Sequence, residues 1–145
     1  MNARDERREK MEHQSPITNH QSPKRATRKL NVLLVDDNPQ FLKAARDVVA
    51  ALPCVARIEC ANSGTEALAQ LGELHPDLVL TDIMMPDMSG FVLMRKLREG
   101  DAPPRVIAVT LHEGPEYRAA ARHSGAEELI CKREFSLVNP AFINL

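Results

Sequence analysis

Twice in this chain an apolar run stops on a carboxylate, and those two stops constrain the fold more than any other feature. Leu30-Asn31-Val32-Leu33-Leu34-Val35 ends in Asp36-Asp37, and Leu78-Val79-Leu80-Thr81 ends in Asp82. Short aliphatic runs bounded by turn signals read as buried strands. After Asp82 comes a turn-rich loop, Ile83-Met84-Met85-Pro86-Asp87-Met88-Ser89-Gly90, and then a helical pattern from Phe91. That is strand, acidic loop, helix. In open α/β sheets, reactive groups gather beyond the carboxyl ends of the strands, and Asp82 occupies such an end.

The rest of the chain repeats the alternation. Residues 30–35, 55–60, 78–81, 106–110 and 129–131 read as strands. Asn38 is placed to cap the first helix with Pro39 at its first position, where a missing N–H costs nothing. That leaves Asp37 free for other work. Phe41, Leu42, Ala45, Val48, Val49 and Leu52 recur at helical spacing until Pro53. Ser63 and Glu66 have the spacing of a capping box. The helix behind them offers Ala67, Leu68, Leu71 and Leu74 as its apolar face. The next helix, about 90–99, shows Phe91, Met94 and Leu97 on one stripe. Gly114-Pro115-Glu116 opens a further helix that ends at Ser124-Gly125. Strand–helix alternation of this kind predicts one parallel sheet with right-handed crossovers and helices on both faces.

If the first and third strands are neighbours, Asp36, Asp37 and Asp82 converge in one pocket. Like charges at that distance raise one another's pKa unless a cation joins them. An all-oxygen donor set of this density suits Mg²⁺, which takes a few protein oxygens and keeps several waters.

Composition narrows the class. A chain of 145 residues, 43% hydrophobic, has room for one domain with a sizeable core and hardly two. No apolar run approaches the ~18 residues of a membrane span, so no membrane role is expected. The charged N-terminus lacks the apolar stretch of a secretory signal. Cys54, Cys60 and Cys131 lack metal-type spacing and read as small hydrophobes in strand-like runs of a reducing compartment. Residues 1–29 carry eight Lys/Arg and four Asp/Glu, while the remainder carries eleven and sixteen. Residues 1–28 have no apolar period and two Ser-Pro steps, so they read as a disordered basic leader ahead of a domain at 29–145. No aromatic residue interleaves with the leader's charges, so direct nucleic-acid binding is not expected.

At these residues the chain resembles the receiver domain of two-component response regulators. The resemblance rests on the strand ending Asp36-Asp37, the segment from Asp82 to Gly90, Thr110 closing Val106-Ile107-Ala108-Val109, and Lys132 after Gly125-Ala126-Glu127-Glu128-Leu129-Ile130-Cys131. Their order and spacing fit over roughly residues 29–135. Taken singly, an Asp after a strand is usually a turn or cap residue, a closing Thr is β-branched filling and a lone Lys is a solvated charge. Together, at four strand ends of one sheet, they form a site.

The resemblance implies a flavodoxin-like α/β fold with a five-stranded parallel sheet in the order 2-1-3-4-5. It implies that Asp82 takes a phosphoryl group from a histidine kinase or phosphotransfer protein. Asp37 and Asp82 would bind Mg²⁺ directly, Asp36 through water, and the Met84 backbone carbonyl would add a ligand. Thr110 and Lys132 would pair with phosphoryl oxygens. The chain would be a cytoplasmic single-domain switch that signals through an unidentified downstream protein. Beyond self-catalysed phosphotransfer and autodephosphorylation it would not be an enzyme. The positions of Met84 and His112 flank the phosphoryl group in the family, although His112 and Tyr117 by themselves read as loop and helix surface.

Alternatives stay open at this point. Glu113-Gly114-Pro115-Glu116-Tyr117 and Lys132-Arg133-Glu134-Phe135 are similar to receivers that carry a helix-turn-helix output, so the leading alternative is the receiver portion of a DNA-binding regulator. A receiver-like interaction module without phosphorylation is another reading. A dehalogenase-like phosphatase would need a second Asp where Met84 stands. The sequence also departs from the family. Arg133 replaces a usual Pro after the Lys, putting the local loop geometry in question. Leu129 replaces a usual aromatic, which removes an aromatic switch at that position. Pro140 interrupts the last segment, so the final helix is expected to be short or broken. Its apolar residues, Phe135, Leu137, Val138, Phe142, Ile143 and Leu145, are expected to lie against the first helix or a second copy, making a homodimer possible.

Overall fold

A computed structural model describes residues 28–112 and 114–137 of the chain. The elements are β1 (Leu30–Val35), α1 (Pro39–Ala50), β2 (Val55–Ala61), α2 (Gly64–Leu74), β3 (Leu78–Thr81), α3 (Gly90–Arg98), β4 (Arg105–Thr110), α4 (Pro115–Ser124) and β5 (Glu128–Cys131). A 3₁₀ helix, Lys132–Leu137, closes the described chain. The five strands form one parallel sheet in the order β2-β1-β3-β4-β5. The fold class read from the sequence and the strand order implied by the resemblance are therefore those observed. The leader through Thr27, Glu113, and the tail with Pro140, Phe142 and Ile143 lie outside the described residues.

Alternation along the strands builds two cores. Leu33, Val35, Val79, Val106, Ala108 and Leu129 face α2, α3 and α4. Val32, Leu34, Leu78, Leu80, Ile107, Val109 and Ile130 face the other way, against Leu42, Ala45 and Val49 of α1 and Phe135 of the 3₁₀ helix. The central strands are thus apolar on both faces, as covered parallel strands must be.

The caps follow the sequence closely. Asn38 Oδ1 accepts from the amides of Gln40 at 2.9 Å and Phe41 at 3.2 Å, with Pro39 opening α1. Ser63 Oγ accepts from Glu66 N at 3.1 Å, while the Glu66 carboxylate reaches the amide of Asn62 rather than that of Ser63. Two details differ from expectation. On α3 the buried stripe is Gly90, Leu93, Met94 and Leu97, with Phe91 on its shoulder; helical geometry puts i, i+3, i+4 and i+7 on one face. Cys54 lies in the turn before β2, half-buried, so only Cys60 and Cys131 are strand residues and only Cys131 is buried.

Candidate functional site

Register decides which side chains meet. In β1 and β3, Val35 pairs with Thr81, and Asp82 N donates to Val35 O at 2.9 Å. The next residues, Asp36 and Asp82, therefore leave the sheet side by side at its carboxyl edge. One oxygen each from Asp36, Asp37 and Asp82 lies within 4.8 Å of the others. In β4 and β5, Thr110 pairs with Cys131, which sets Thr110 level with the residue just before Lys132.

The carboxylates are held, not loose. Asp36 Oδ1 accepts from Asn38 N at 2.9 Å, and Asp82 Oδ1 accepts from Ile83 N at 2.7 Å. Both side chains are buried, whereas Asp37 is exposed. Lys132 enters between them. Its Nζ donates to Asp82 Oδ2 at 3.0 Å and stands 2.6 Å from Asp36 Oδ2. The second contact is a full charge contact but lacks the direction of a hydrogen bond, so that buried oxygen keeps acceptor capacity.

Burial pushes the Asp36 carboxyl above its ordinary value, and the Asp82 charge adds to the rise; Lys132 and the Asn38 amide offset it only in part. Burial also works against the Lys132 ammonium, but its contacts with the Asp36 and Asp82 carboxylates outweigh it and hold Lys132 above its ordinary value. Both shifts have the same consequence, because a value raised by folding makes stability fall as pH rises through it. Asp36 favours the fold less as pH climbs from its unfolded value through its raised folded one. The Lys132 contribution is present below the ordinary lysine value and is lost as pH rises through the folded one.

The residues present fit a hard divalent cation. The donor set is all oxygen, two carboxylates are fixed by backbone amides, and one buried oxygen has spare acceptor capacity. Such a cation takes a few protein oxygens and keeps several waters, which suits three carboxylates with one oxygen each within 4.8 Å of the others.

The loop after Asp82 is fixed by burial of Ile83 and Met85, while Met84 points its side chain outward at 53% exposure. Gly90 closes the loop. Its amide donates to Ile83 O at 2.7 Å, and a Cβ there would lie 2.0 Å from the Asp82 carbonyl oxygen. Only glycine lets α3 start this close to the site. Thr110 is fully buried, with Oγ1 accepting from His112 N at 3.2 Å. His112, exposed, stacks on Tyr117 with ring centroids 5.0 Å apart. Exposed Leu111 and Met84 belong to loops at the same edge.

The structure thus brings together Asp36, Asp37, Asp82 and Lys132, and places Thr110 and Met84 on the adjoining strand end and loop. Arg133 does not disturb this: the chain turns directly from β5 into the 3₁₀ helix with the Lys132 ammonium in place. Sequence reasoning missed Phe41, read only as part of an apolar stripe. Its ring centroid is 4.8 Å from Lys132 Nζ and 5.8 Å from the Phe135 ring, at an interplanar angle of 62°. The available signal was the three-residue spacing of Lys132 and Phe135.

This fold and pocket define an open α/β domain with an acidic, lysine-paired pocket at the carboxyl edge of its sheet. Residues 32–137 match the family described as response regulator receiver domain, and the chain belongs to that family. It is 35% identical over 104 residues to protein-glutamate methylesterase/protein-glutamine glutaminase 5 of Myxococcus xanthus, covering 71% of this chain and 30% of that protein. It is 33% identical over 109 residues to the transcriptional regulatory protein TrcR of Mycobacterium tuberculosis, covering 74% of this chain and 41% of that protein. In structure it is similar to the signal receiver domain of a NarL response regulator from M. tuberculosis. That match has a TM-score of 0.70 and 26% identity, covering 81% of this chain and 95% of that one. The chain spans about a third of the length of the first curated relatives it matches. It is a receiver domain of two-component signalling. Among the described residues no helix is long and apolar enough to cross a membrane.

Proposed function

We propose that this receiver accepts a phosphoryl group on Asp82 from a phosphohistidine donor, a histidine kinase or phosphotransfer protein, in the cytoplasm. It then signals to a downstream protein. The observation that supports this best is the setting of Asp82: buried, fixed through Oδ1 by the Ile83 amide, with Oδ2 turned to Lys132. A carboxylate fixed at one oxygen attacks with the other. Asp82 Oδ2 bonds to phosphorus, the phosphorus–nitrogen bond of the donor breaks, and the imidazole leaves. Catalysis here is positioning plus charge compensation. Lys132 moves its N–H from the nucleophile to a phosphoryl oxygen, and the Thr110 hydroxyl donates to another. Asp37 and Asp82, the Met84 carbonyl, and Asp36 through water would hold Mg²⁺, which when bound supplies the charge that offsets carboxylate–phosphoryl repulsion.

Incubation of the full chain with Mg²⁺ and acetyl phosphate tests the proposal by intact mass. The parent gains one phosphoryl group and Asp82→Asn gains none. Equal labelling of the Asn variant contradicts it. Residues 1–27 carry no residue of this site, and deleting them is expected to leave labelling unchanged. A second reading, the receiver portion of a longer DNA-binding regulator, is favoured by the partial coverage of relatives such as TrcR. The chemistry at Asp82 is common to both.

A further inference from the structure

We propose that Phe41 is a positioning residue for Lys132, and that Phe135 fixes its ring, so that the closing 3₁₀ helix sets the reach of the site's ammonium. The inference rests on the phosphoryl-transfer reading above.

An ammonium has three N–H donors. Asp36 and Asp82 face two sides of Lys132, and the π face of Phe41 is its neighbour at 4.8 Å. The ring offers negative potential without a formal charge. It attracts the ammonium but competes for neither a metal ion nor a phosphoryl group. During phosphotransfer the lysine must let go of the carboxylate it holds and take a phosphoryl oxygen instead. A cation entering between Asp36 and Asp82 would also repel it. A carboxylate partner cannot keep hold of the lysine through both events. A ring face can, because its attraction tolerates small shifts of the ammonium.

Two features of the local chain make this arrangement. In a 3₁₀ helix, residues i and i+3 lie on the same side, so Lys132 and Phe135 both turn toward α1. Phe135 is buried and meets Phe41 edge to face at 62°, a favoured aromatic geometry that fixes a ring plane. On the other side, Asn38 ties Phe41 to the pocket itself. The Asn38 amide donates to Asp36 Oδ1, and the Asn38 side chain accepts from the Phe41 amide. The carboxylate, the cap, the ring and the ammonium form one closed circuit.

The test uses the full chain in three variants. Phe41→Leu keeps an apolar side chain at this half-buried place and removes the π face. Phe41→Tyr keeps the face. Phe135→Leu keeps the apolar filling and removes the edge contact. With acetyl phosphate and saturating Mg²⁺, Phe41→Leu is expected to slow Asp82 labelling by roughly 3- to 10-fold, the range of a partly desolvated cation–π contact. Phe41→Tyr should label within about twofold of the parent, and Phe135→Leu should fall between. The Mg²⁺ dissociation constant should stay unchanged in all three, which a general loosening of the pocket would not allow. The Lys132 ε-methylene protons provide a readout independent of chemistry. A ring face shifts them upfield in the nuclear magnetic resonance spectrum, and Phe41→Leu should remove the shift. Unshifted Lys132 protons in the parent overturn the proposal, as does parental labelling by Phe41→Leu. If the parent itself takes no phosphoryl group, the phosphoacceptor reading fails, and the ring-current shift alone then decides whether Phe41 positions Lys132.

Discussion

On one face of the sheet three helices lie over Leu33, Val35, Val79, Val106 and Ala108; on the other, among the described residues, α1 and a two-turn 3₁₀ helix lie over Val32, Leu34, Leu80, Ile107 and Val109. The strands supply both faces with similar aliphatic side chains, so the sequence of the sheet does not distinguish them. Their coverage does. The carboxylates of the site hang from strand ends that both cores support. The ammonium that balances them is carried by the short 3₁₀ segment, on the side where the described residues supply α1 and that segment. Regular structure therefore positions the acidic half of the pocket, and a pair of aromatic contacts positions the basic half.

The largest expected effect compares the two faces directly. Leu93, a fully buried residue of α3, should cost about 3–5 kcal/mol when cut to alanine, because the helices around it leave little freedom to collapse. Phe135→Ala should cost less, about 2–3 kcal/mol, although it deletes more atoms, since a short 3₁₀ segment relaxes more easily than a framed helix. Urea unfolding of the two variants measures the difference. Equal or reversed costs would show that the α1 face is as firmly built as the other.

Next comes the point where the well-covered face touches the site. A methyl group at Gly90 would drive into the Asp82 carbonyl. Gly90→Ala should lose about 1–3 kcal/mol, the usual cost of overpacking, and should also slow labelling of Asp82. A variant with parental stability and rate would mean that α3 can back away without moving Asp82.

Smaller still is the effect of the cation. Ligands that bind only the folded state stabilise it by mass action, about 1.4 kcal/mol when free ligand is tenfold above its dissociation constant. Millimolar Mg²⁺ should raise the melting temperature of the parent, and Asp37→Ala should remove most of that rise. Asp37 is exposed and makes little of the fold, so its replacement should leave the metal-free protein almost as stable. A parent whose melting ignores Mg²⁺ would contradict the acidic pocket as a metal site.

What was legible in the sequence was what period and strand-end chemistry encode. Apolar runs of three to six residues located the strands, and the carboxylates that stop two of them located the acidic pocket. Asn38, Pro39 and Ser63 announced their helices because capping is a local property. Packing choices were less legible. Phe91 outranks Leu93 in bulk, yet Leu93 is the one buried, because helix rotation depends on what the neighbouring strands offer. Cys54 looked like a strand residue because the turn before β2 contains no glycine. The Phe41–Lys132 contact joins residues far apart in the chain, and the three-residue spacing of Lys132 and Phe135 announces only one side of it. Phe135 does pack on α1 as its apolar character suggested.

Most direct of all is to locate the phosphoryl group itself. The full chain is labelled with acetyl phosphate and Mg²⁺, the acyl phosphate is reduced with borohydride, and the peptides are sequenced by mass spectrometry. An aspartyl phosphate is converted to homoserine, which marks its position in the chain. The account predicts homoserine at position 82 and at neither 36 nor 37, with the yield collapsing in Lys132→Ala. Homoserine at another aspartate, or its absence from a protein whose pocket binds Mg²⁺, would contradict Asp82 as the acceptor.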